Sequence, residues 1–304
     1  MKIFLVAMRR SGTTTFFELM RQDARFRCYD EPFNGMLRDM PGGNQWGTQT
    51  EFISLFQENP AKFWSLFRPI SGNSEITPEL TPLQRQYLSY IIGSAEHVFI
   101  DFTRCNFKIE ELKKIAPDAI LIHLHRHPAA VASSHLLPSS WKQGRKLKLW
   151  RARHKFWKIQ TKYDFWGFET VIGRHPLSSC GQAFSEFGLD SELIYTLPAV
   201  VRLLAFWKLN FDRVEADANT FFGPNFLSIS LEHFCENPTS FMETLYQKLN
   251  LPSAPFDFSA IHKAPGYAFP DHPDWRKYFA VAGLDSAAVT LGSTIAHGAQ
   301  DGHS

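Results

Sequence analysis

The sequence predicts an α/β protein, in which helices flank a central parallel sheet and an additional lobe is helical or irregular. Two segments predict the sheet: Lys2 to Met8 (KIFLVAM) and Ala119 to His125 (AILIHLH) are short runs of aliphatic and β-branched residues. Each run leads into a loop and then into a helical pattern. Repeated strand–loop–helix units are typical of parallel sheets, because the helix returns the chain to the start of the next strand.

The other elements follow from periodicity and from residues that begin helices. Hydroxyl residues open a predicted helix over Thr13 to Asp23, and a proline in the first turn opens one over Pro128 to His135. Spacing further predicts a helix over Phe107 to Ile115, a long helix over Tyr195 to Glu215, a strand over Phe226 to Leu231 and a helix over Pro238 to Leu249. No structure is predicted for Pro41 to Pro82 or Leu136 to Leu193, which have no clear period.

The composition indicates one globular domain. With 304 residues and 44% hydrophobic content the chain can bury a large core, and we expect a single domain over residues 1–304 with an inserted cap region over residues 136–195. The four cysteines have no paired spacing, and no apolar run approaches the ~18–20 residues of a membrane span. A cytoplasmic location without disulfides or a transmembrane segment is therefore expected.

The charge is unevenly distributed. The net charge is +2, yet Trp141 to Lys162 holds nine Lys and Arg residues and no acidic residue. We interpret this basic segment as a solvated helix whose aromatic stripe packs on the core, with an electropositive wall for an anionic ligand or lipid surface as the alternative. A single basic helix without a recognised module is weak evidence for nucleic-acid binding, so no nucleic-acid partner is predicted.

The loop after the first strand, Arg9 to Gly12, is a candidate anion site. A helix that starts after such a loop presents unpaired N–H groups and a positive dipole end. Gly12 permits close approach of the backbone, Ser11 offers a hydroxyl and Arg10 a fixed positive charge. The alternative is an ordinary strand–turn–helix corner capped by hydroxyl residues.

This loop differs from the nucleoside-triphosphate loop, since Ala7 replaces its first glycine and Thr13 its lysine. Arg10 to Thr14 resembles instead the 5′-phosphosulfate loop of sulfotransferases that use 3′-phosphoadenosine 5′-phosphosulfate (PAPS), whose core reads Arg/Lys-Ser-Gly-Thr/Ser-Thr/Ser. The resemblance implies a P-loop-like fold, with Arg10 on the leaving phosphate and the bridging oxygen. The cofactor residues predicted in this loop are Arg9, Arg10, Ser11, Gly12, Thr13, Thr14 and Thr15.

The second signature of this family follows a central strand and reads Arg, any residue, Pro, five residues, Ser. Here Arg126-His127-Pro128 is followed by Ser134, with Ser133 as the near alternative. The arginine leaves the end of a buried strand and the serine lies two helical turns further on, so both can face one phosphate. The resemblance implies that this phosphate is the 3′-phosphate of PAPS; an arginine that merely caps a turn is the alternative.

Two later segments extend the resemblance. Leu227 to Leu251 is similar to the family's strand–loop–helix segment, in which Asn-Pro precedes an amphipathic helix. Trp275-Arg276-Lys277 is similar to the Trp-Arg element of carbohydrate-type members, where basic residues close over the nucleotide. Trp275, Arg276 and Lys277 are therefore predicted cofactor contacts, with a surface basic pair as the alternative.

Sulfuryl transfer needs a base for the acceptor's proton and a cationic clamp on the leaving phosphate. Carbohydrate-type and bacterial members, which this chain resembles most in motif, use a Glu in a Glu-Pro-Phe/Leu element, and Glu31 occupies that position. Asp101 and Arg104 stand where aryl and steroid types carry a histidine stretch, and we predict that they contact the acceptor. The alternative is that Glu31 only pairs with an arginine. The remaining candidates for the base are His123, His125, Asp30 and Asp101.

The resemblance implies transfer of a sulfuryl group from PAPS to a hydroxyl or amine of a small polar acceptor, with adenosine 3′,5′-bisphosphate as the product. We expect a saccharide, a lipid-linked sugar or a natural product as acceptor, and residues 136–195 as the acceptor-binding lobe. No metal is predicted, because no carboxylate or cysteine completes a ligand set with His123 and His125.

Two other function classes are weighed against this one. A nucleotide-dependent kinase is disfavoured by Thr13 in place of lysine and by the lack of a clear acidic strand end for magnesium. A non-catalytic nucleotide-binding module is disfavoured because Glu31 lies where a base is wanted. The number of subunits is left open.

Overall fold

The computed structural model describes residues 1–42, 50–70, 72–136, 199–264, 266 and 273–284. Its centre is a parallel sheet of strands β1 (Lys2–Val6), β2 (Phe26–Asp30), β3 (His97–Phe102), β4 (Ile120–His125) and β5 (Phe226–Ser230). The strand order is β2-β3-β1-β4-β5, and every neighbouring pair is parallel. The predicted parallel sheet is confirmed.

Helices cover both faces of this sheet. In chain order they are α1 (Thr13–Met20), α2 (Thr50–Glu58), α3 (Pro60–Leu66), α4 (Pro82–Ile92), α5 (Ile109–Ile115), α6 (Pro128–Leu136), α7 (Ala199–Phe221), α8 (Leu231–Glu236), α9 (Pro238–Leu249) and α10 (Asp274–Val281). Short 3₁₀ helices lie at Gly35–Gly42, Gly72–Glu75 and Gly223–Asn225. Within the described residues, no helix combines the length and apolar character that crossing a bilayer requires.

The predicted elements are present with shifted ends, but two strands and the helices α2, α3, α4, α8 and α10 are not predicted. β2 and β3 are not predicted, because Arg27, Asp30 and Asp101 interrupt their apolar pattern. Helix α7 continues past the predicted end at Glu215 to Phe221, since its buried stripe continues beyond that residue. Residues 137–198 lie outside the described residues, and with them almost all of the predicted cap region and the whole basic segment.

Alternate residues of the central strands face opposite sides of the sheet. Phe4 and Val6 lie in a core shared with α2 to α5 and α7, whereas Ile3 and Leu5 lie in a core shared with α1, α8 and α9. Because both faces are covered, the inner strands are buried on both faces without alternation, as the strands of parallel sheets usually are. All six residues of β4 are buried.

The parallel arrangement brings the carboxyl ends of all five strands to one edge of the sheet. β1 is central, with β3 and β2 on one side and β4 and β5 on the other, so the direction of winding reverses at β1. Open α/β sheets bind ligands at the carboxyl edge near such a reversal. The loops and helix starts that follow the strands here carry Arg9–Gly12, Glu31, Thr103–Arg104, Arg126–Pro128 and Glu232.

Gly12 sets the geometry where β1 turns into α1. Its φ is 93° and its ψ is 18°, a left-handed conformation that L-residues with a side chain rarely adopt. A Cβ at this position would lie 2.7 Å from both δ-carbons of Leu231, which is itself buried in the core beside α1. Both the backbone conformation and the packing therefore require glycine.

Gly12→Ala is expected to destabilise the protein more than Gly223→Ala. Both glycines have positive φ, so each substitution should cost about 1–2 kcal/mol, but a Cβ at Gly223 would meet no atom within 4 Å. Overlap with Leu231 should add about 1–3 kcal/mol for Gly12→Ala. Urea unfolding followed by circular dichroism measures both losses, and equal losses would contradict this account of Gly12.

Candidate active site

The loop between β1 and α1 is held in an unusual conformation. Arg10 has φ of 73°, so a non-glycine residue occupies the left-handed region immediately before Ser11 and Gly12. The Ser11 N–H donates to the Met8 carbonyl over 3.2 Å. The Ser11 hydroxyl is buried and has no hydrogen-bond partner in the described part of the chain. Strain and an unsatisfied polar atom at one loop are typical of a ligand site.

Two motifs that lie far apart in the sequence meet at this loop. The Arg10 Nε donates to the Ser134 hydroxyl over 2.9 Å, and the Arg126 Nη1 donates to the Arg10 carbonyl over 3.1 Å. Ser134 lies in the second turn of α6, while Arg126 directly follows β4. Of the two candidate serines, Ser134 therefore contacts the predicted phosphate loop; Ser133 is also buried.

The positive charges of Arg10 and Arg126 are close enough to influence each other. Burial lowers the pKa of Arg10, and burial, opposed by Glu232 and reinforced by Arg10, lowers the pKa of Arg126. Two partly desolvated like charges repel each other, and a bound anion would relieve that repulsion. With the buried Ser11 hydroxyl and the close approach at Gly12, the residues present fit an anionic group such as a phosphate.

Other contacts fix the β4 motif in position. The Trp207 indole N–H donates to the Arg126 carbonyl over 2.9 Å, and a Glu232 carboxylate oxygen accepts the His127 N–H over 3.1 Å. Trp207 belongs to α7 and Glu232 to the first turn of α8. Helices from the C-terminal half of the chain therefore position an arginine that follows a central strand.

Glu31 follows β2 at the same edge. Its φ is 47°, a second non-glycine residue in the left-handed region, and its N–H donates to the Asp101 carbonyl over 3.0 Å. The Glu31 carboxylate accepts a hydrogen bond from the Arg104 guanidinium. The pairing with an arginine that the sequence leaves open is therefore present, and whether Glu31 also acts as a base stays a prediction.

A chain of alternating charges connects Glu31 with the phosphate loop. Arg9 makes two hydrogen bonds with Glu75, at 2.7 and 2.8 Å, and the Arg104 Nε lies 3.6 Å from a carboxylate oxygen of Glu75. Burial, followed by the positive charge of Arg9, lowers the pKa of Arg104 to about 9, which leaves its guanidinium protonated at neutral pH. The four residues Arg9, Glu75, Arg104 and Glu31 therefore carry compensating charges.

Asp101, a predicted acceptor contact, is fully buried at the end of β3. Burial, followed by the negative charge of Asp30, raises the pKa of Asp101 well above its usual value, and a hydrogen bond with Thr13 opposes this in part. Burial therefore favours the protonated form of this carboxyl in the folded protein. Asp101 lies in the protein interior, and its contact with the acceptor stays a prediction.

A pocket opens beside this charged chain, with an empty volume of about 420 Å³ that includes space open to solvent. Arg9, Glu75 and Arg104 form its charged part. The other polar residues lining it are Thr103, Asn106, His135 and Asn210, and the apolar ones are Met8, Ile76, Phe107 and Phe206. The pocket thus adjoins both the phosphate loop and the arginine that holds Glu31.

The remaining predicted cofactor residues lie around the same edge or further along the chain. Thr14 is exposed, whereas Thr13 and Thr15 are half-buried in the first turn of α1. Trp275 is buried and stacks on Phe279, with ring centroids 5.8 Å apart, while Arg276 and Lys277 are exposed on α10. Their contact with a nucleotide stays a prediction.

The strand histidines occupy a different environment. His123 is buried and its Nδ1 lies 2.6 Å from a Glu215 carboxylate oxygen, which also accepts the Ser228 hydroxyl over 2.6 Å. Burial, followed by the charge of His123, lowers the pKa of His125 to about 3. Both histidines face Phe211 of α7. In the described ranges, no group of three or more His, Cys, Asp or Glu side chains is arranged to hold a metal ion.

Sequence reasoning missed two residues of this site. Glu75 lies in the segment without a clear period, and nothing in the sequence pairs it with Arg9 or Arg104, which lie 66 and 29 positions away. His135 directly follows the predicted Ser134 in the last turn of α6, and this adjacency was the one available signal. Burial, followed by the charges of Arg10 and Arg9, lowers the pKa of His135 to about 3.

Comparison with known proteins identifies the family of the chain. Residues 2–164 match the sequence model of the sulfotransferase family. The matched segment is more than half of the 304 residues. The chain therefore belongs to the sulfotransferase family, and it is a transferase. No curated protein matches the chain in sequence.

Three solved structures are similar to it in fold at low sequence identity. A sulfotransferase from Alicyclobacillus acidocaldarius is 12% identical, with 95% of this chain and 98% of that chain covered and a TM-score of 0.42. A sulfotransferase from Mycobacterium avium is 15% identical, with coverages of 85% and 64% and a TM-score of 0.39. The sulfotransferase domain of the olefin synthase from Synechococcus PCC 7002 is 14% identical, with coverages of 91% and 82% and a TM-score of 0.39.

Asp101→Asn is expected to remove a pH dependence of stability. Because the pKa of Asp101 is raised on folding, the unfolded chain loses this proton first, and stability should fall by up to about 1.4 kcal/mol per pH unit above pH ~4 until the folded pKa is reached. The asparagine variant lacks this loss, so it should gain on the parent as the pH rises. Urea unfolding at pH 5 and pH 8 measures the difference, and identical pH slopes would contradict a neutral Asp101.

Proposed function

We propose that this sulfotransferase uses PAPS as its donor and sulfates a hydroxyl or amine of a small polar acceptor. The observation that carries the proposal is the meeting of Arg10, Arg126 and Ser134 at one point of the sheet edge, through hydrogen bonds of 2.9 and 3.1 Å. These residues come from two motifs that resemble the family's two phosphate contacts. Their convergence is what binding one nucleotide with a 5′-phosphosulfate and a 3′-phosphate requires.

The roles of the residues follow from their charges and positions. Bound PAPS supplies the sulfuryl group. Arg10, with the hydroxyl of Ser11 and the first N–H groups of α1, holds the 5′-phosphosulfate and stabilises the negative charge that develops on the leaving phosphate. Arg126 and Ser134 hold the 3′-phosphate. Glu31 accepts the acceptor's proton at a carboxylate oxygen.

The ion pair with Arg104 fixes the position of the Glu31 carboxylate but does not make it a stronger base. A carboxylate held by a guanidinium has a fixed orientation, but the positive charge favours its ionised form and so weakens it as a base. The left-handed backbone of Glu31 is a strain that the sheet edge must offset, which is more common at functional residues than at structural ones. We therefore retain Glu31 as the proposed base.

One observation bears on the kinase alternative. Asp101 ends β3 beside Thr13, so an acidic strand end is present where the sequence predicted none. Its raised pKa makes it a poor magnesium ligand, because ligands must be deprotonated. Thr13 also stands where the phosphate-binding lysine of such enzymes would be. The kinase reading is not favoured by these contacts.

Calorimetry with adenosine 3′,5′-bisphosphate tests the donor site. We expect binding without magnesium, and binding at least 10-fold weaker for adenosine 5′-monophosphate, because charge-assisted hydrogen bonds to one phosphate are worth about 1.5–3 kcal/mol. Arg126→Ala should abolish this preference, and because it also removes the hydrogen bond to the Arg10 carbonyl, it should weaken both nucleotides, the bisphosphate by more than the monophosphate. Magnesium-dependent ATP binding in place of these results would sink the proposal.

The matched control for Arg126→Ala is Arg27→Ala. Arg27 also forms an ion pair, with Glu58 over 2.9 Å, but it lies within the edge strand β2 rather than at its end. Removing this charge should leave the preference for the 3′-phosphate intact. If both variants lose it equally, net charge rather than a specific contact explains the effect.

Glu31→Gln tests the base. The change keeps the size of the side chain and should leave adenosine bisphosphate binding intact, while turnover falls by about 10²–10⁴, the usual contribution of a positioned base. Turnover is followed by the mass gain of the sulfated acceptor. Glu75→Gln removes the other carboxylate beside Arg104, so it controls for the loss of a charge on that arginine. Equal losses in the two variants would assign Glu31 a structural role.

A further inference from the structure

Two carboxylates approach the Arg104 guanidinium. Glu31 accepts a hydrogen bond from its Nη1, and a Glu75 carboxylate oxygen lies 3.6 Å from its Nε. The side chains of Arg104, Glu75 and Glu31 are 17%, 11% and 21% exposed. Solvent and salt screen charges weakly at such burial, so each carboxylate changes the electrostatic field that the other experiences.

We propose that Glu75 is a positioning residue of the reaction, which offsets part of the positive charge of Arg104 and so keeps Glu31 a stronger base than the ion pair alone would leave it. The inference rests on the proposed function, since it concerns the residue proposed there as the base. Arg104 orients the Glu31 carboxylate but also weakens it as a base. A second carboxylate on the same guanidinium counteracts the weakening and leaves the orientation in place.

Glu75 is held between two arginines. One nitrogen of Arg9 donates to both of its carboxylate oxygens, over 2.7 and 2.8 Å. The oxygen at 2.7 Å is the one that lies 3.6 Å from the Arg104 Nε. Burial, followed by the positive charge of Arg9, lowers the pKa of Arg104, so the two arginines influence each other. Without the charge of Glu75, Glu31 would be the one carboxylate left in this group of four residues.

The segment that carries Glu75 is tied to the segment that carries Arg104. Lys108, which directly precedes α5, is fully buried, and its Nζ donates to the Thr77 carbonyl over 2.5 Å and to the Glu79 carbonyl over 3.1 Å. Lys108 follows Arg104 by four positions in the same connection between β3 and α5. The fold therefore fixes the place of Glu75 beside Arg104.

Other titratable groups act at the same place. Among the described residues they are Asp30, Asp101, Cys105, Lys108 and His135. Burial favours the uncharged forms of Asp101, Cys105 and His135, because it raises the pKa of the first two and lowers the pKa of the third. The negative charge of Asp30 acts on Arg104 in the same sense as Glu75 would. Its contribution is common to the parent and to a variant changed at Glu75 alone, so the difference between the two reports on Glu75.

The titration of the Glu31 carboxylate measures the effect without any acceptor. The whole chain is labelled with glutamate that carries ¹³C at the side-chain carboxyl, and the Glu31 signal is the one missing from the spectrum of Glu31→Gln. In Glu75→Gln the midpoint of the Glu31 titration should fall by about 1 pH unit, because removing a nearby negative charge favours the ionised form. An unchanged or raised midpoint overturns the inference.

Two further variants separate charge at Glu75 from other effects. Glu75→Asp keeps the charge and should keep the midpoint near that of the parent, whereas equal shifts in Glu75→Asp and Glu75→Gln would show that side-chain shape is responsible. Glu51→Gln is the matched control, because Glu51 also pairs with an arginine, Arg21, over 2.9 Å, at 19% and 24% exposure. Arg21 follows the last residue of α1, whereas the phosphate loop precedes the first. An equal shift in this control would contradict the inference, and circular dichroism checks that the variants fold.

The pH dependence of turnover separates this inference from the proposed function. Turnover is measured as adenosine bisphosphate released from PAPS, with water as the probe acceptor. If Glu31 is the base, turnover rises with pH through its midpoint, and in Glu75→Gln the rise should move to lower pH with that midpoint while the maximal rate falls by about 3-fold. A merely structural Glu75 would lower the rate without moving the rise. A midpoint that moves without the rise overturns Glu31 as the base, whereas a midpoint that does not move overturns the role of Glu75 and leaves the base in place.

Discussion

The contacts between Arg10 and the motif after β4 are the constraint on which the site depends. Arg126 donates to the Arg10 carbonyl and Arg10 donates to Ser134, so the loop after β1 is held in its left-handed turn by residues more than 100 positions away. The positive charge of Arg10 also lowers the pKa of Arg126, while the negative charge of Glu232 opposes this shift.

Backbone strain is concentrated at this edge of the sheet. Three described residues other than glycine have positive φ, and two of them lie after sheet strands: Arg10 in the loop after β1, and Glu31 directly after β2. The third, Asn250, ends α9 in the left-handed cap that helices commonly use. The strain at Arg10 and Glu31 has no such local explanation. Hydrogen bonds to other segments hold the backbone of both residues. The Glu31 N–H donates to the Asp101 carbonyl, and the Arg10 carbonyl accepts from Arg126.

The edge is divided into two electrostatic halves. On one side, Arg10 and Arg126 leave a positive field suited to phosphate groups. On the other, Arg9, Glu75, Arg104 and Glu31 alternate in sign and leave a polar but balanced surface. β1 lies between the two halves. The adjacent residues Arg9 and Arg10 come after this strand and have different partners: Arg9 pairs with Glu75, and Arg10 donates to Ser134.

The sequence by itself determined the parallel sheet, the phosphate-loop motif and the Arg126–Ser134 motif, because each depends on short-range patterns: a buried apolar run, a glycine before a helix, and a proline that opens one. It did not determine β2 and β3, whose charged residues break the apolar pattern, nor the place of Glu75 in the site. The burial of Asp101, the pairing of Arg104 with both Glu31 and Glu75, and the unsatisfied atoms of Thr103, Asn106 and His135 were decided only by the tertiary structure. The physical reason is that desolvation and ion pairing depend on which loops the order of the strands brings together, and that order is set by packing across the whole sheet.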